Sequence, residues 1–326
     1  MSIFLCAQSA VAAYRSLAVL SRLRRGLHAM TTPSVPSSAQ AIELAQRLQI
    51  PLPLHVLVDR VGARRNNKAV VCKVSSTMAG VRAFLEIAPG VFACSPEALF
   101  LQLAAGSDFE NLLMLGMELV GGFAPNKAAR KGLLMREPLT TPEALRDHIE
   151  ASPSGFGCDR ARDAARYLLP DARSPKEAEI ALMLALPRRR GGRGVEGLVL
   201  NRRVDLPPEG RVIAERSHLV CDIFCETARL ELGYDSDDNH LEREDHESDK
   251  RRENALRTAG IGFVPMTNGQ LHDWATFDAV ARRFAHEAGA CFKYTSRAID
   301  ERQHELWRRL LFFRRIGGRL VDPCGA

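Results

Sequence analysis

The sequence predicts a two-domain chain of mixed α/β (α+β) class. A central mixed sheet flanked by helices is expected in the second domain, with a smaller α+β domain ahead of it. Three observations lead there. The chain has 326 residues, enough for two domains with real cores. Short apolar, β-type runs alternate with helix starts of the Ser-Pro-Glu or Thr-Pro-Glu kind, in which a hydroxyl residue caps and proline takes the first helical position. Finally, two β-type runs, Leu219 to Phe224 and Ala228 to Tyr234, are joined by only a few residues and read as a hairpin.

Composition narrows the functional classes. Net charge is +6 and the isoelectric point about 9.0, a modest basic excess that suits nucleic acid. No apolar run approaches the roughly 20 residues that a membrane span requires, so no membrane partner is expected. Eight cysteines are scattered through the chain. Cys221 and Cys225 lack a metal-finger spacing and read as buried strand thiols, which points to a reducing, cytoplasmic setting. The first 42 residues contain no acid and carry Arg15, Arg22, Arg24 and Arg25. A transit peptide would look similar, but a small basic N-terminal region is the preferred reading.

Residues 1–50 are expected to be a helical region: an amphipathic helix over 8–26, the TTPSVPSS loop from Thr31, then a short helix from Ser38 to near Leu48. These read as packing helices, with a remnant DNA-reading module as the alternative. A second region, 51–170, opens on strands LPLHVLVDR and KAVVCKV around a basic turn. Val91–Cys94 then leads into a helix begun by Ser95-Pro96-Glu97. Apolar helix continues over 107–122 until Gly121-Gly122. Further helices follow from Thr141-Pro142-Glu143 and from Cys158 to Leu169.

A third region, 171–292, opens with Ser174-Pro175-Lys176-Glu177, a capping box. Glu177 has two readings, as the box's return hydrogen bond or as a group aimed at a metal. The stretch Arg188 to Gly194 sets Arg188, Arg189, Arg190 and Arg193 on a glycine-rich loop. It is either a phosphate clamp, since glycines let backbone approach phosphate, or a solvated loop. Asn201–Val204, with Arg202 and Arg203, and Arg211–Glu215 read as strands. A hairpin loop centred on Thr227–Ala228 sets Asp222 opposite Gly233, and Glu231 and Asp235 share Gly233's face. Directly paired side chains lie about 5 Å apart and diagonal ones roughly 7–8 Å. Asp222, Glu231 and Asp235 could then converge on one Mg²⁺, with water completing the shell. An acidic, solvated hairpin edge is the plainer reading. Eight acids follow between 235 and 249, then a helix to Ala259, a strand over 261–266 and a helix over 275–288. Residues 293–326 form a basic helical tail.

Asp249, Arg252, Leu256 and Gly260 fall in the order D-x-x-R-x-x-x-L-x-x-x-G behind an acid-bearing hairpin. That order resembles the very-short-patch-repair (Vsr) endonuclease-like branch of the PD-(D/E)XK nucleases, and an uncharacterised bacterial group within it, over about residues 172–290. The resemblance implies a first-strand acid, matched by Asp222, then E-x-D and a histidine, matched in part by Asp235 and His240. Position 233 is glycine where that pattern has glutamate, and the usual following lysine is absent, so its role would pass to a helix cation. Residues 51–125 are similar to the C-terminal domain of AbiEi-type antitoxin and regulator proteins, a domain often fused ahead of a Vsr-like one.

The expected function is therefore action on DNA. In one reading Mg²⁺ on Asp222, Asp235 and Glu231, with Glu177 and His240 nearby, activates water for phosphodiester cleavage, and Gly233 weakens the site. Gly233→Glu would then raise metal affinity. In the other reading the nuclease fold is catalytically silent and binds DNA or regulates, in a defence or toxin–antitoxin setting. Arg188, Arg189, Arg190, Arg193, Arg202, Arg203 and Arg252 are the expected DNA contacts, and a homodimer is left open.

Overall fold

The computed structural model describes the chain apart from residues 1, 24–25, 76–77, 79, 153–154, 156, 236–242, 291–295, 313, 317–318 and 322–326, and of 243–249, 314–316 and 319–321 it describes the backbone alone. The class is mixed α/β, with mixed sheets flanked by helices. Two compact units divide the chain, one comprising Met1–Leu168 with Arg315–Leu320, the other Leu169–Arg314 with Val321–Ala326.

The first unit runs β1 (Ile3–Leu5), α1 (Ala7–Tyr14), α2 (Leu17–Leu20), β2 (Leu27–Ala29), α3 (Ser38–Leu48), β3 (Leu54–Val58), β4 (Val70–Val74), β5 (Arg82–Ala88), β6 (Val91–Cys94), α4 (Pro96–Ala104), α5 (Phe109–Val120), β7 (Phe123–Pro125), β8 (Leu133–Met135), α6 (Pro142–Ala151) and α7 (Cys158–Ala165). Its six-stranded sheet has the order β2-β5-β6-β1-β3-β4. Residues 1–50 therefore do not stand apart as a helical region. Ile3, Phe4 and Leu5 pair in parallel with Val91, Phe92 and Ala93, and Leu5 pairs antiparallel with Val56. The expected helix over 8–26 is broken into α1 and α2, with Tyr14 buried and its hydroxyl donating to Cys94 O at 2.6 Å. Ser37, Ser95 and Thr141 cap α3, α4 and α6 through their side-chain oxygens, as hydroxyl residues at helix starts do. Arg15 makes a bidentate pair with buried Glu118, at 2.8 and 2.5 Å.

The second unit runs α8 (Pro175–Ala185), β9 (Leu198–Asp205), α9 (Pro208–Ala214), β10 (His218–Cys225), β11 (Leu230–Asp235), α10 (Arg243–Thr258), β12 (Gly262–Thr267), α11 (Asn268–His272), α12 (Trp274–Glu287) and α13 (Arg297–Phe312). Its sheet has the order β12-β11-β10-β9. β9, β10 and β11 form an antiparallel meander, and β12 lies parallel to β11. A parallel neighbour needs a crossover, and α10 supplies it. Pro265 sits in the edge strand β12, where a missing N–H is tolerated. Arg211–Glu215, expected as strand, falls mostly in helix α9. Pro208 at the first position and Glu209 in the first turn are helix-starting signals that outweigh the apolar pair Val212-Ile213.

The core that fixes the hairpin comprises Leu206, Leu219, Cys221, Phe224, Ala255, Leu256 and Ile261. Ala255 and Leu256 bring α10 down onto the sheet. Arg252, one turn before Leu256, consequently lies on the sheet-facing side of that helix.

Candidate functional site

The hairpin β10–β11 pairs Ile223 with Leu232, Phe224 with Glu231 and Cys225 with Leu230, and the next pair in that register is Asp222 with Gly233. At that point side chains take over from the backbone ladder. The Asp222 N–H donates to Glu231 Oε1 at 3.3 Å, and the Tyr234 N–H donates to Asp222 Oδ2 at 3.1 Å.

Glu231 is fully buried, its side chain 0% exposed. Its Oε1 also accepts from Arg252 Nη2, which donates in addition to Val220 O at 2.6 Å. Oε2 is buried with no nitrogen or oxygen donor on it. Burial pushes the carboxyls of both Asp222 and Glu231 above the ordinary range, and the Arg252 guanidinium is the largest opposing influence on each. For Arg252 itself burial works downward, but Glu231, and after it Asp222, hold the guanidinium above its usual value. A helix cation thus stands against the hairpin carboxylates, where the sequence lacks the strand lysine.

Ser174 caps α8 as expected, accepting from the Glu177 N–H at 3.1 Å, but the Glu177 carboxylate returns to the Ser174 hydroxyl, at 2.9 Å, instead of the backbone N–H that a full capping box uses. Glu177 Oε2 accepts from the Arg173 N–H at 2.9 Å and from Asn201 Nδ2 at 2.7 Å. Its carboxyl is raised chiefly by burial, and the charge of Asp222 adds to the rise. Asn201 reaches it from a left-handed backbone position, φ 51°, inside β9, and also donates to Asp171 O at 2.8 Å.

Asp235 is exposed at the end of β11, beside Thr267 of β12. His240 lies outside the described residues. Among the described residues no three His, Cys, Asp or Glu side chains stand close enough to hold an ion. The expected convergence of Asp222, Glu231 and Asp235 is therefore corrected. The physical reason is that Glu231 turns into the core against Arg252, while Asp235 stays in solvent. The donor set as it stands does not fit Mg²⁺.

Gly233 has a packing explanation. A Cβ there would lie 2.6 Å from Phe263 Cε2 and 2.9 Å from its Cζ, with Glu231 Oε1 at 3.8 Å. The ring of Phe263, on β12, covers the position where the resemblance expects glutamate. The expectation that a glutamate at 233 would simply complete a metal site is corrected accordingly.

The arginine-rich loop is largely built into the unit. Residues 188–190 form one 3₁₀ turn, with Arg189 exposed and Arg188 and Arg190 half-buried. Arg193 is buried: it donates to Gln303 Oε1 at 2.6 Å and pairs with Asp278. A Cβ at Gly191 would meet Arg302 O at 2.3 Å, and one at Gly192 would meet Leu186 O at 1.9 Å. Those glycines admit α13 and the end of α8, so their role as a phosphate approach, and Arg193 as a DNA contact, are corrected. Arg202 and Arg203 are exposed on edge strand β9, with Glu226 at 3.6 Å from the first and Asp205 at 3.2 Å from the second.

One polar chain escaped the sequence reading. His272 Nδ1–H donates to Asn268 O at 2.9 Å, so Nε2 accepts from Lys176 Nζ at 3.3 Å, and Lys176 in turn lies 3.2 Å from the buried Glu179. Its central link, Lys176 to His272, spans 96 residues, and no local pattern joins those two. The Arg252 contact did leave a signal: arginine four residues before leucine puts both on the buried face of a helix.

Compared with known proteins, the chain matches no family model, no curated protein and no solved structure. No helix among the described residues is long and apolar enough to cross a membrane.

Proposed function

We propose that the chain is a DNA-acting protein whose second unit uses a Vsr-like nuclease-type sheet to bind or regulate DNA without cutting it. The observation that carries this reading is the Arg252–Glu231 ion pair beside Asp222. A guanidinium that occupies one carboxylate oxygen and neutralises its charge removes the countercharge a catalytic metal would need there. Support for the nuclease-type sheet comes from element order: capped helix α8, acid-bearing hairpin, crossover helix with D-x-x-R-x-x-x-L, then a parallel strand. Support for DNA comes from the net charge of +6 and the exposed Arg189, Arg202 and Arg203. The first unit, AbiEi-like in motif order, suits a regulatory or toxin–antitoxin setting.

The deciding experiment is incubation of supercoiled plasmid with the full chain, with and without Mg²⁺ or Mn²⁺, beside a binding assay on the same DNA. Retained binding without nicking is the expected result. Nicking that disappears in Asp222→Ala would replace this reading with that of an active metal-dependent endonuclease.

A further inference from the structure

We propose that the loop between β3 and β4 of the first unit, with Lys73 of β4, is a phosphate-contacting surface for duplex DNA. Residues 59–73 carry five cations, Arg60, Arg64, Arg65, Lys68 and Lys73, against one acid, Asp59, a net +4 of the chain's +6. All five cations are exposed. Asp59 lies 3.6 Å from Arg60, and among the described residues no acid pairs with the other four. The arginines of α6 and α7 differ in this respect: Arg146 is held by Glu143, and Arg162 by Glu150 and Asp159.

The fold keeps these charges in place. β3 and β4 are parallel neighbours, so the chain must return along the sheet between them, and β4 is an edge strand. The loop comes back beside that edge. Asn67 and Val70 exchange backbone hydrogen bonds at 2.9 and 3.3 Å, the Arg65 N–H reaches Cys72 Sγ at 3.4 Å, and the Cys72 N–H donates to Asn66 Oδ1 at 2.7 Å. Asn67 Oδ1 accepts from the Ala69 N–H at 2.8 Å, and Arg65 Nη1 donates to Gly62 O and Arg64 O at 2.9 and 2.8 Å. A loop tied down in this way presents its cations with little further loss of backbone entropy on binding.

The chemistry of the surface selects the partner. Between 59 and 73 no exposed side chain is aromatic, and the one large apolar side chain in solvent is Val61, 68% exposed. Protein interfaces bury an apolar core rich in aromatics, and membrane-surface segments bury an apolar face. Cations interleaved with asparagines suit phosphate oxygens, which position a protein on a duplex without reading its sequence. The inference rests on the proposed action on DNA, but on neither the β9 arginines nor the hairpin acids.

The test is fluorescence anisotropy of two unrelated labelled duplexes, titrated with the full chain at several salt concentrations. Arg64→Gln/Lys68→Gln/Lys73→Gln spares Arg65, whose guanidinium holds the loop. Its three changes lie in solvent, so its melting temperature should match that of the wild type. It should bind both duplexes about tenfold or more weakly, with a slope of log affinity against log salt shallower by about 2–3. Arg64→Lys/Lys68→Arg/Lys73→Arg keeps the charges and should bind as the wild type does. Where the wild type binds, unchanged affinity and slope in the glutamine variant overturn this inference alone and leave the cations as guards of a sheet edge. An equal loss in the charge-keeping variant overturns it too. So does a glutamine variant that loses binding to phosphatidylserine vesicles while holding DNA as before, which would give the loop to a membrane surface. A wild type that binds neither duplex overturns the function proposed above and this inference with it, whereas plasmid nicking would replace that function and leave this contact standing.

Discussion

At residue scale, Gly233 and Asp222 make separate predictions. The space at Gly233 is filled by the Phe263 ring, so Gly233→Ala forces a methyl group against it. Overpacking of this kind costs about 1–3 kcal/mol, more than the backbone entropy that alanine recovers. Gly233→Glu should lose more, since it adds a third carboxylate beside Glu231. Urea unfolding of Gly233→Ala, alone and with Phe263→Leu, checks this: the second change should relieve the first, and strictly additive losses would show that the ring is not the obstacle. For Asp222 the sign follows from its raised carboxyl. A group whose folded-state value is raised contributes stability that is fully present below its unfolded value, near 4, and lost as pH rises through the folded value. Asp222→Asn keeps an acceptor for the Tyr234 N–H and removes that loss. Its stability should fall less than wild type's as pH climbs from about 4 into the neutral range. Parallel curves of urea midpoint against pH would contradict the burial argument.

At the scale of elements, local chemistry and long-range pairing divide what the sequence tells. The starts of α4, α6 and α8 were legible, because a capping hydroxyl followed by proline acts within one turn. The hairpin register was legible too, because loop length fixes it. Strand β1 was not: three apolar residues ahead of an alanine-rich run look helical until a partner strand about ninety residues later claims them. Arg193 misled for the same reason, since its partners Asp278 and Gln303 lie 85 and 110 residues onward. Of the candidate site, the acids on the hairpin and the helix cation were readable singly, whereas their pairing depended on how α10 packs. Arg193 yields a test of its own. Arg193→Ala takes a donor from buried Gln303 and from Asp278, although Asp278 keeps Arg282 at 2.7 Å, so it should cost about 1–3 kcal/mol. Exposed Arg189→Ala should stay within about 0.5 kcal/mol. Denaturant midpoints of the two variants decide it, and equal values would return Arg193 to the solvated loop.

At the scale of the whole molecule, the acids and the basic excess pull against each other. Buried carboxylates cannot repel a phosphate backbone strongly while Arg252 neutralises them, so DNA contact falls to the exposed cations. Arg202 and Arg203 are the best placed of the arginines expected at DNA, consecutive and exposed on an edge strand, their ion pairs with Glu226 and Asp205 lying in solvent where such pairs are weak. Each phosphate contact releases condensed counterions, and the slope of log affinity against log salt changes by about 0.9 per contact on duplex DNA. Arg202→Ala/Arg203→Ala should therefore weaken binding to all sequences alike and make that slope shallower by nearly 2. Fluorescence anisotropy of a labelled duplex, titrated at several salt concentrations, reads both quantities at once. A change in affinity without a change in slope would mean the pair reads something other than phosphate. No change in either would move the DNA surface away from β9 and leave Arg189 as the next cation to remove.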